Sequence, residues 1–224
     1  MTASSPYSVV LFDLDGTIAD SAPGIVSSLT VTIGELGFPV PTPLELLEWV
    51  GPPLPHSFTE KLGLTGQALE HAMKVHRARY FTEGALDSTV FPGMGDILRR
   101  VHGAGIPSSL ATSKPEAPAK LMLDHFGLSP YLDVITGASA DETRSLKADV
   151  VAEALRRLDE RGVDLSRPVL IGDRHHDVEG AAVHGVPTIF VEWGYGSVDE
   201  QAGAVAVVSD TGELAAALGL PTEP

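Results

Sequence analysis

The sequence predicts an α/β protein: a parallel sheet whose strands alternate with helices, interrupted once by an all-helical insertion. Three observations point there. Six short apolar runs, VVLF (9–12), SSLAT (108–112), DVIT (133–136), PVLIG (168–172), PTIFV (187–191) and AVAVV (204–208), lack the strict alternation of strands wetted on one face, so they suit strands covered on both. Helical stripes lie between the later runs, as parallel crossovers require. Residues 20–90 carry helical patterns and no convincing strand.

Taken in order, the first run leads straight into Asp13, Asp15, Gly16 and Thr17. The insertion follows. A helix from Pro23 places Ile25, Leu29, Ile33 and Leu36 on one stripe; Thr42 and Pro43 open a short second helix that GPPLP at 51–55 stops. A third runs from about Gly66 to Phe81, with Leu69, Met73, Val75, His76 and Tyr80 available to pack, and the chain returns through VFPG at 90–93. Met94, Ile97, Leu98 and Val101 then form one helical stripe, and LKADVVAEALRRL at 146–158 forms a stronger one, each ahead of a strand run.

Composition narrows the function. A chain of 224 residues with 43% hydrophobic content can bury real cores. A net charge of −15 argues against nucleic acid or an anionic membrane as partner. Without cysteine there is no thiolate nucleophile or ligand, so covalent chemistry falls to Ser, Thr, Asp, Glu, Lys or His. MTASSPYS is no signal peptide and no apolar stretch reaches membrane-spanning length, so a cytoplasmic location is expected.

Four features fall at or just beyond strand ends, where open parallel sheets bind ligands. Asp13 and Asp15, two apart on an extended segment, point to one side and repel unless a divalent cation or a proton is shared. Thr112, Ser113 and Lys114 end a strand before Pro115 starts a helix, which suits an anion. Lys147 opens a helix, and Asp173 and Asp177 follow PVLIG. Singly, each has a plain reading as turn, cap or solvated surface. Together, acids to hold a hard cation and a lysine with hydroxyls to neutralise a phosphoryl group form one coherent set.

DLDGT, ATSK, the lysine of RSLKADV and GDRHHD, in that order, resemble the motifs of the haloacid dehalogenase superfamily of aspartate-nucleophile phosphohydrolases. The likeness covers nearly the whole chain and implies a Rossmann-like core (1–18 and 90–224) with a small helical cap (19–89). VGPPLPHSF, TSKPEAPAKLMLDHFGL and GDRHHDVEGAAVHGV are most similar to its phosphoglycolate-phosphatase and 5′-nucleotidase-like branch. The resemblance implies Asp13 as nucleophile, Asp15 as general acid and base, and Thr112, Ser113 and Lys147 on the phosphoryl oxygens. It further implies Mg²⁺ held by Asp13, Asp15 (through its carbonyl), Asp173 and Asp177, and a small phosphorylated metabolite as substrate. Lys114 and Arg174 are candidates for holding the leaving group or for supporting the acids, and Gly51, Pro53 and Leu54 for gating the substrate, although GPPL can also simply join two helices.

Other histidines and aromatics are read conservatively. His175 and His176 adjoin hard oxygen ligands and cannot easily face one ion, His71 and His76 do not share a helix face, and Trp193 and Tyr195 are expected to pack. Competing functions remain a phosphomutase of the same superfamily and a non-enzymatic phospho-receiver or binding module. A dehalogenase is disfavoured by the second acid and the metal set.

Overall fold

VVLF forms β1 (Val9–Phe12), which is buried on both faces. A two-residue strand, β2 (Ala19–Asp20), leads into α1 (Ala22–Glu35), α2 (Pro43–Leu47), α3 (Leu54–Leu62) and α4 (Gly66–Arg79), which runs on into a π-helical turn, Tyr80–Gly84. The chain returns through β3 (Thr89–Val90), antiparallel to β2, so both connections to the helical unit lie side by side. Then follow α5 (Met94–Gly103), β4 (Ser108–Pro115), α6 (Glu116–His125), β5 (Val134–Ala138), α7 (Lys147–Asp159), β6 (Pro168–Gly172), α8 (His175–Ala182), β7 (Thr188–Val191), β8 (Ala206–Val208) and α9 (Thr211–Ala217). This computed structural model describes residues 5–141 and 143–221, with Glu83 described by its backbone alone.

The main sheet has the order β5-β4-β1-β6-β7-β8 and every pairing is parallel. All six expected runs are its strands. Their lack of alternation has a simple cause in β1: Val10 and Phe12 face one layer, with α5, α6 and α9, while Val9 and Leu11 face the other, with α7 and α8. The helical unit has a third apolar cluster of its own, in which Leu29, Ile33, Phe58 and Met73 meet. There Trp49 meets Phe58 edge-on at 5.4 Å, a contact worth about 0.5–1.5 kcal/mol beyond burial. Among the described residues no helix is long and apolar enough to cross a membrane.

Two local readings need correction. GPPLP does not merely stop a helix: Pro53 is the N-cap of α3, and Leu54 and Pro55 lie in its first turn, where proline's missing N–H costs nothing. Residues 19–20 and 89–90 do form strands, too short to leave a sequence pattern.

The α1 helix and the π turn touch backbone to backbone: a Cβ on Gly24 would collide with the Gly84 carbonyl oxygen, and one on Gly84 with Ser28 Oγ. Helix propensity alone favours alanine over glycine inside α1 by about 0.5–1 kcal/mol. The collision reverses that sign. Gly24→Ala should destabilise by about 1–3 kcal/mol, read as a lower Tm; a raised Tm would show that the two elements are not in contact.

Candidate active site

Beyond β1 the ladder persists for one residue, as Asp13 N–H donates to the Ile171 carbonyl at 2.9 Å, and then the chain curls. The N–H groups of Thr17, Ile18 and Ala19 all reach the Leu14 carbonyl, and Gly16 turns with φ +86°. This tight loop sends the two aspartates to different cations. Lys147 Nζ lies 2.7 Å from Asp13 Oδ1, whereas Lys114 Nζ lies 2.8 and 3.1 Å from the two oxygens of Asp15. Ser21 Oγ adds a 2.5 Å hydrogen bond to Asp15 Oδ1.

Lys147 is the first residue of α7 and sits at the centre of the site. Its Nζ donates to the Ala111 carbonyl at 2.9 Å and lies 2.7 Å from Asp177 Oδ1 as well as from Asp13. Burial opposes its charge, but those two carboxylates prevail and raise its pKa. Asp177 caps α8, its Oδ2 accepting from the N–H groups of Asp173 and Arg174 at 3.1 and 3.0 Å. Asp173 accepts from Thr17 Oγ1 at 3.1 Å and from Tyr195 N–H at 2.8 Å.

The donor set suits a hard divalent cation. Asp13, Asp173 and Asp177 are buried, and each offers one oxygen within 4.8 Å of the others. Asp13 Oδ1 and Asp177 Oδ1 each lie 2.7 Å from the Lys147 ammonium and, among the described residues, have no other donor. A Cβ on Gly16 or Gly194 would strike the Asp173 carboxylate, and one on Gly172 would strike that of Asp177, so glycine is what lets the acids crowd. Burial foremost, with Asp177 and Asp15 adding and Lys147 opposing, pushes Asp13 up to about 6. Burial foremost, then Asp177 and Asp13, holds Asp173 well above the carboxylate range. The Asp15 carboxylate stands outside this group, engaged by Lys114 and Ser21.

Thr112 and Ser113 are buried in the last part of β4, past a register shift that begins at Ala111, and Thr112 Oγ1 accepts from Lys114 N–H at 3.3 Å. Gly51, Pro53, Leu54, Ser113 and Lys114 line a cavity between the sheet end and the helical unit, as does Asp15. Arg174 does not line it. Its Nη1 donates to the Val50 carbonyl at 2.7 Å and its Nε to Glu200 at 2.8 Å, so it ties the two units together instead of reaching a leaving group. His175 Nδ1 pairs with Glu200 at 2.7 Å, and neither His175 nor His176 joins the acidic cluster. His71 is exposed and His76 buried. Trp193 packs on the main core and Tyr195 on the helical one, and the Tyr195 hydroxyl also accepts from Ser21 and Ala22 N–H and donates to Asp20. Sequence reasoning missed Ser21 and Glu200, and it read the lining residues His76 and Tyr80 only as side chains available to pack.

One family's sequence model, described as haloacid dehalogenase-like hydrolase, matches residues 10–191. The chain belongs to that family. Its relatives include a protein named tyrosine-protein kinase PtkA from Mycobacterium tuberculosis, 44% identical over 200 residues, 88% of this chain and 67% of the relative. A 5′-nucleotidase from Pseudomonas aeruginosa is 34% identical over 198 residues, 88% of each chain. The crystal structure of a predicted phosphatase from Clostridium acetobutylicum superposes with a TM-score of 0.87 at 35% identity, covering 93% of this chain and 96% of that one. The phosphatase class, the α/β fold and the superfamily expected from the sequence agree with these findings.

Removing one acid tests the crowded carboxylates. Since Asp13 and Asp173 have raised pKa values when folded, the metal-free protein binds more protons than the unfolded chain, so their contribution to stability is present at low pH and is lost as pH rises, through about 6 for Asp13. A cation at 100 times its Kd adds about 2.7 kcal/mol. Mg²⁺ should therefore raise Tm more at pH 7.5 than at pH 5. Asp173→Asn should raise the metal-free Tm at pH 7.5 and abolish the Mg²⁺ shift. Thermal melts with and without Mg²⁺ check both, and an undiminished shift in Asp173→Asn would remove Asp173 from the ligand set.

Proposed function

We propose that this chain is a Mg²⁺-dependent phosphomonoesterase that hydrolyses a small phosphorylated metabolite in the cytoplasm through a phosphorylated Asp13. Residues 1–18 and 90–224 serve as catalytic core and 19–89 as cap. The observation that carries the reading is Lys147, buried with its Nζ 2.7 Å from both Asp13 and Asp177. A fixed ammonium group next to a carboxylate in a dry site is what a phosphate dianion needs in order to approach that carboxylate.

In the first step an Asp13 oxygen attacks phosphorus, the bond from phosphorus to the leaving oxygen breaks, and Asp15 supplies that oxygen with a proton. In the second, Asp15 takes a proton from water, the water oxygen attacks phosphorus, and the bond to Asp13 breaks to release phosphate. Thr112 Oγ1, Ser113 N–H and Lys147 Nζ hold the phosphoryl oxygens, while Lys114 and Ser21 fix the Asp15 carboxylate. Mg²⁺, held by the carboxylates of Asp13, Asp173 and Asp177 and the Asp15 carbonyl, supplies charge neutralisation between nucleophile and phosphoryl group. The two aspartates differ in role because each has its own cation, which the shared spacing alone does not explain.

Four experiments test the reading. In ¹⁸O-labelled water a phosphatase places one solvent oxygen in each phosphate released, whereas a mutase moves the phosphoryl group to another hydroxyl without it; unlabelled transfer products would favour the mutase. Activity should vanish in EDTA and return with Mg²⁺. Lys147→Ala should lose about 10²–10³ in kcat. After acid quench, mass spectrometry should find a phosphate adduct in Asp15→Asn and none in Asp13→Asn, and an adduct in the latter would place the nucleophile elsewhere.

A further inference from the structure

A cavity lies above Asp15, Ser113 and Lys114, between the end of the sheet and the helical unit. Its walls are chiefly apolar, with Trp49, Pro53, Leu54 and Met73 among them. Two polar atoms break that surface. Both are enclosed, His76 Nδ1 with no hydrogen-bond partner and Tyr80 Oη with the Lys114 ammonium beside it but no acceptor for its own proton, in residues that are 3% and 6% exposed and that both line the cavity.

Packing does not account for this pair. A buried polar group left unpaired costs about 1–3 kcal/mol, and phenylalanine at either position would fill a comparable space without that cost. The rings are fixed: His76 stacks on Tyr80 with centroids 5.7 Å apart and planes 12° apart, and its ring meets Phe58 edge-on at 6.4 Å. Tyr80 opens the π turn, where Ala85 N–H returns to the Tyr80 carbonyl at 2.7 Å; such irregular turns occur often at functional sites.

The wall they form is uncharged. Burial, then Lys114 and Arg77, lowers His76 to about 4, so near neutrality its ring has one donor and one acceptor; burial raises Tyr80, which keeps its proton. The nearby cations are committed: Lys114 to Asp15, with Tyr80's ring 4.7 Å beneath its Nζ, and Arg77 to groups of the protein. A carboxylate entering this space would lose its water and meet no free cation.

The geometry points to His76 and Tyr80 as a specificity-determining pair that binds a hydrogen-bonding edge on a flat, uncharged leaving group such as a heteroaromatic ring, and that disfavours carboxylate-bearing phosphate esters. The apolar and aromatic walls take the faces of the ring, and the imidazole and phenol take its edge. This inference rests on the phosphatase reading above.

The test measures kcat/KM with Mg²⁺ for uridine 5′-monophosphate, phenyl phosphate and 2-phosphoglycolate, in the wild type and in His76→Phe and Tyr80→Phe. In the wild type, uridine monophosphate should exceed 2-phosphoglycolate at least tenfold, a result that depends on no variant folding. Each variant should lower the ratio of uridine monophosphate to phenyl phosphate about tenfold, mainly through KM, because phenyl phosphate offers a ring without a polar edge. A wild-type ranking with 2-phosphoglycolate equal or higher overturns the inference. So does a ratio that stays constant in both variants, which would mark the pair as structural. Hydrolysis of phenyl phosphate alongside either result leaves the phosphatase reading standing. No hydrolysis of any of the three overturns both.

Discussion

The site depends on holding three carboxylates together out of water against one ammonium group. Asp13, Asp173 and Asp177 repel one another, and Lys147 alone touches two of them. The fold meets this demand with backbone. Asp13 stands at the end of a strand paired on both sides, Asp177 gives one oxygen to its own helix terminus, and glycines occupy the positions where any side chain would press on the acids. Helices α7 and α8 approach closely for the same reason: a Cβ on Gly180 would lie 2.6 Å from Lys147 Cβ, so the absence of a side chain there keeps the lysine in place.

A second charge pair connects that chemistry to the helical unit. Lys114 holds Asp15, Ser21 at the start of α1 bonds the same carboxylate, and the Tyr80 ring of the π turn lies under the ammonium group. Arg174 and Tyr195, from loops beside Asp173, reach the carbonyl of Val50 and the first residues of α1. The helical unit is thus bonded to loops that carry the acids as well as packed above them.

Much of this was legible in the sequence, and the remainder fails for identifiable physical reasons. Strands buried on both faces announce themselves by unbroken apolar runs, and their carboxyl ends by the acids, hydroxyls and lysines that follow. Asp13, Lys147, Asp173 and Asp177 could be grouped on that basis, and the structure brings them together. What local spacing does not encode is the partner chosen across the fold. The i, i+2 pattern of Asp13 and Asp15 does not say that each is bound to a different lysine, and Arg174 has no sequence mark of its bond to Val50. Helix α3 was hidden because proline both ends helices and begins them, and the cavity wall of His76 and Tyr80 exists only once α4 is docked.

The paired strands β2 and β3 carry a longer consequence. Because Ala19 lies opposite Val90 and Asp20 opposite Thr89, the helical unit leaves and rejoins the sheet through one doorway two residues wide. Its length, helix count and lining can drift without altering the spacing of anything in the main sheet, since the distance its ends must span is fixed at that of a single hydrogen-bonded pair. The sheet and the helical unit can therefore vary in length independently of one another, as a socket does from the tools fitted to it.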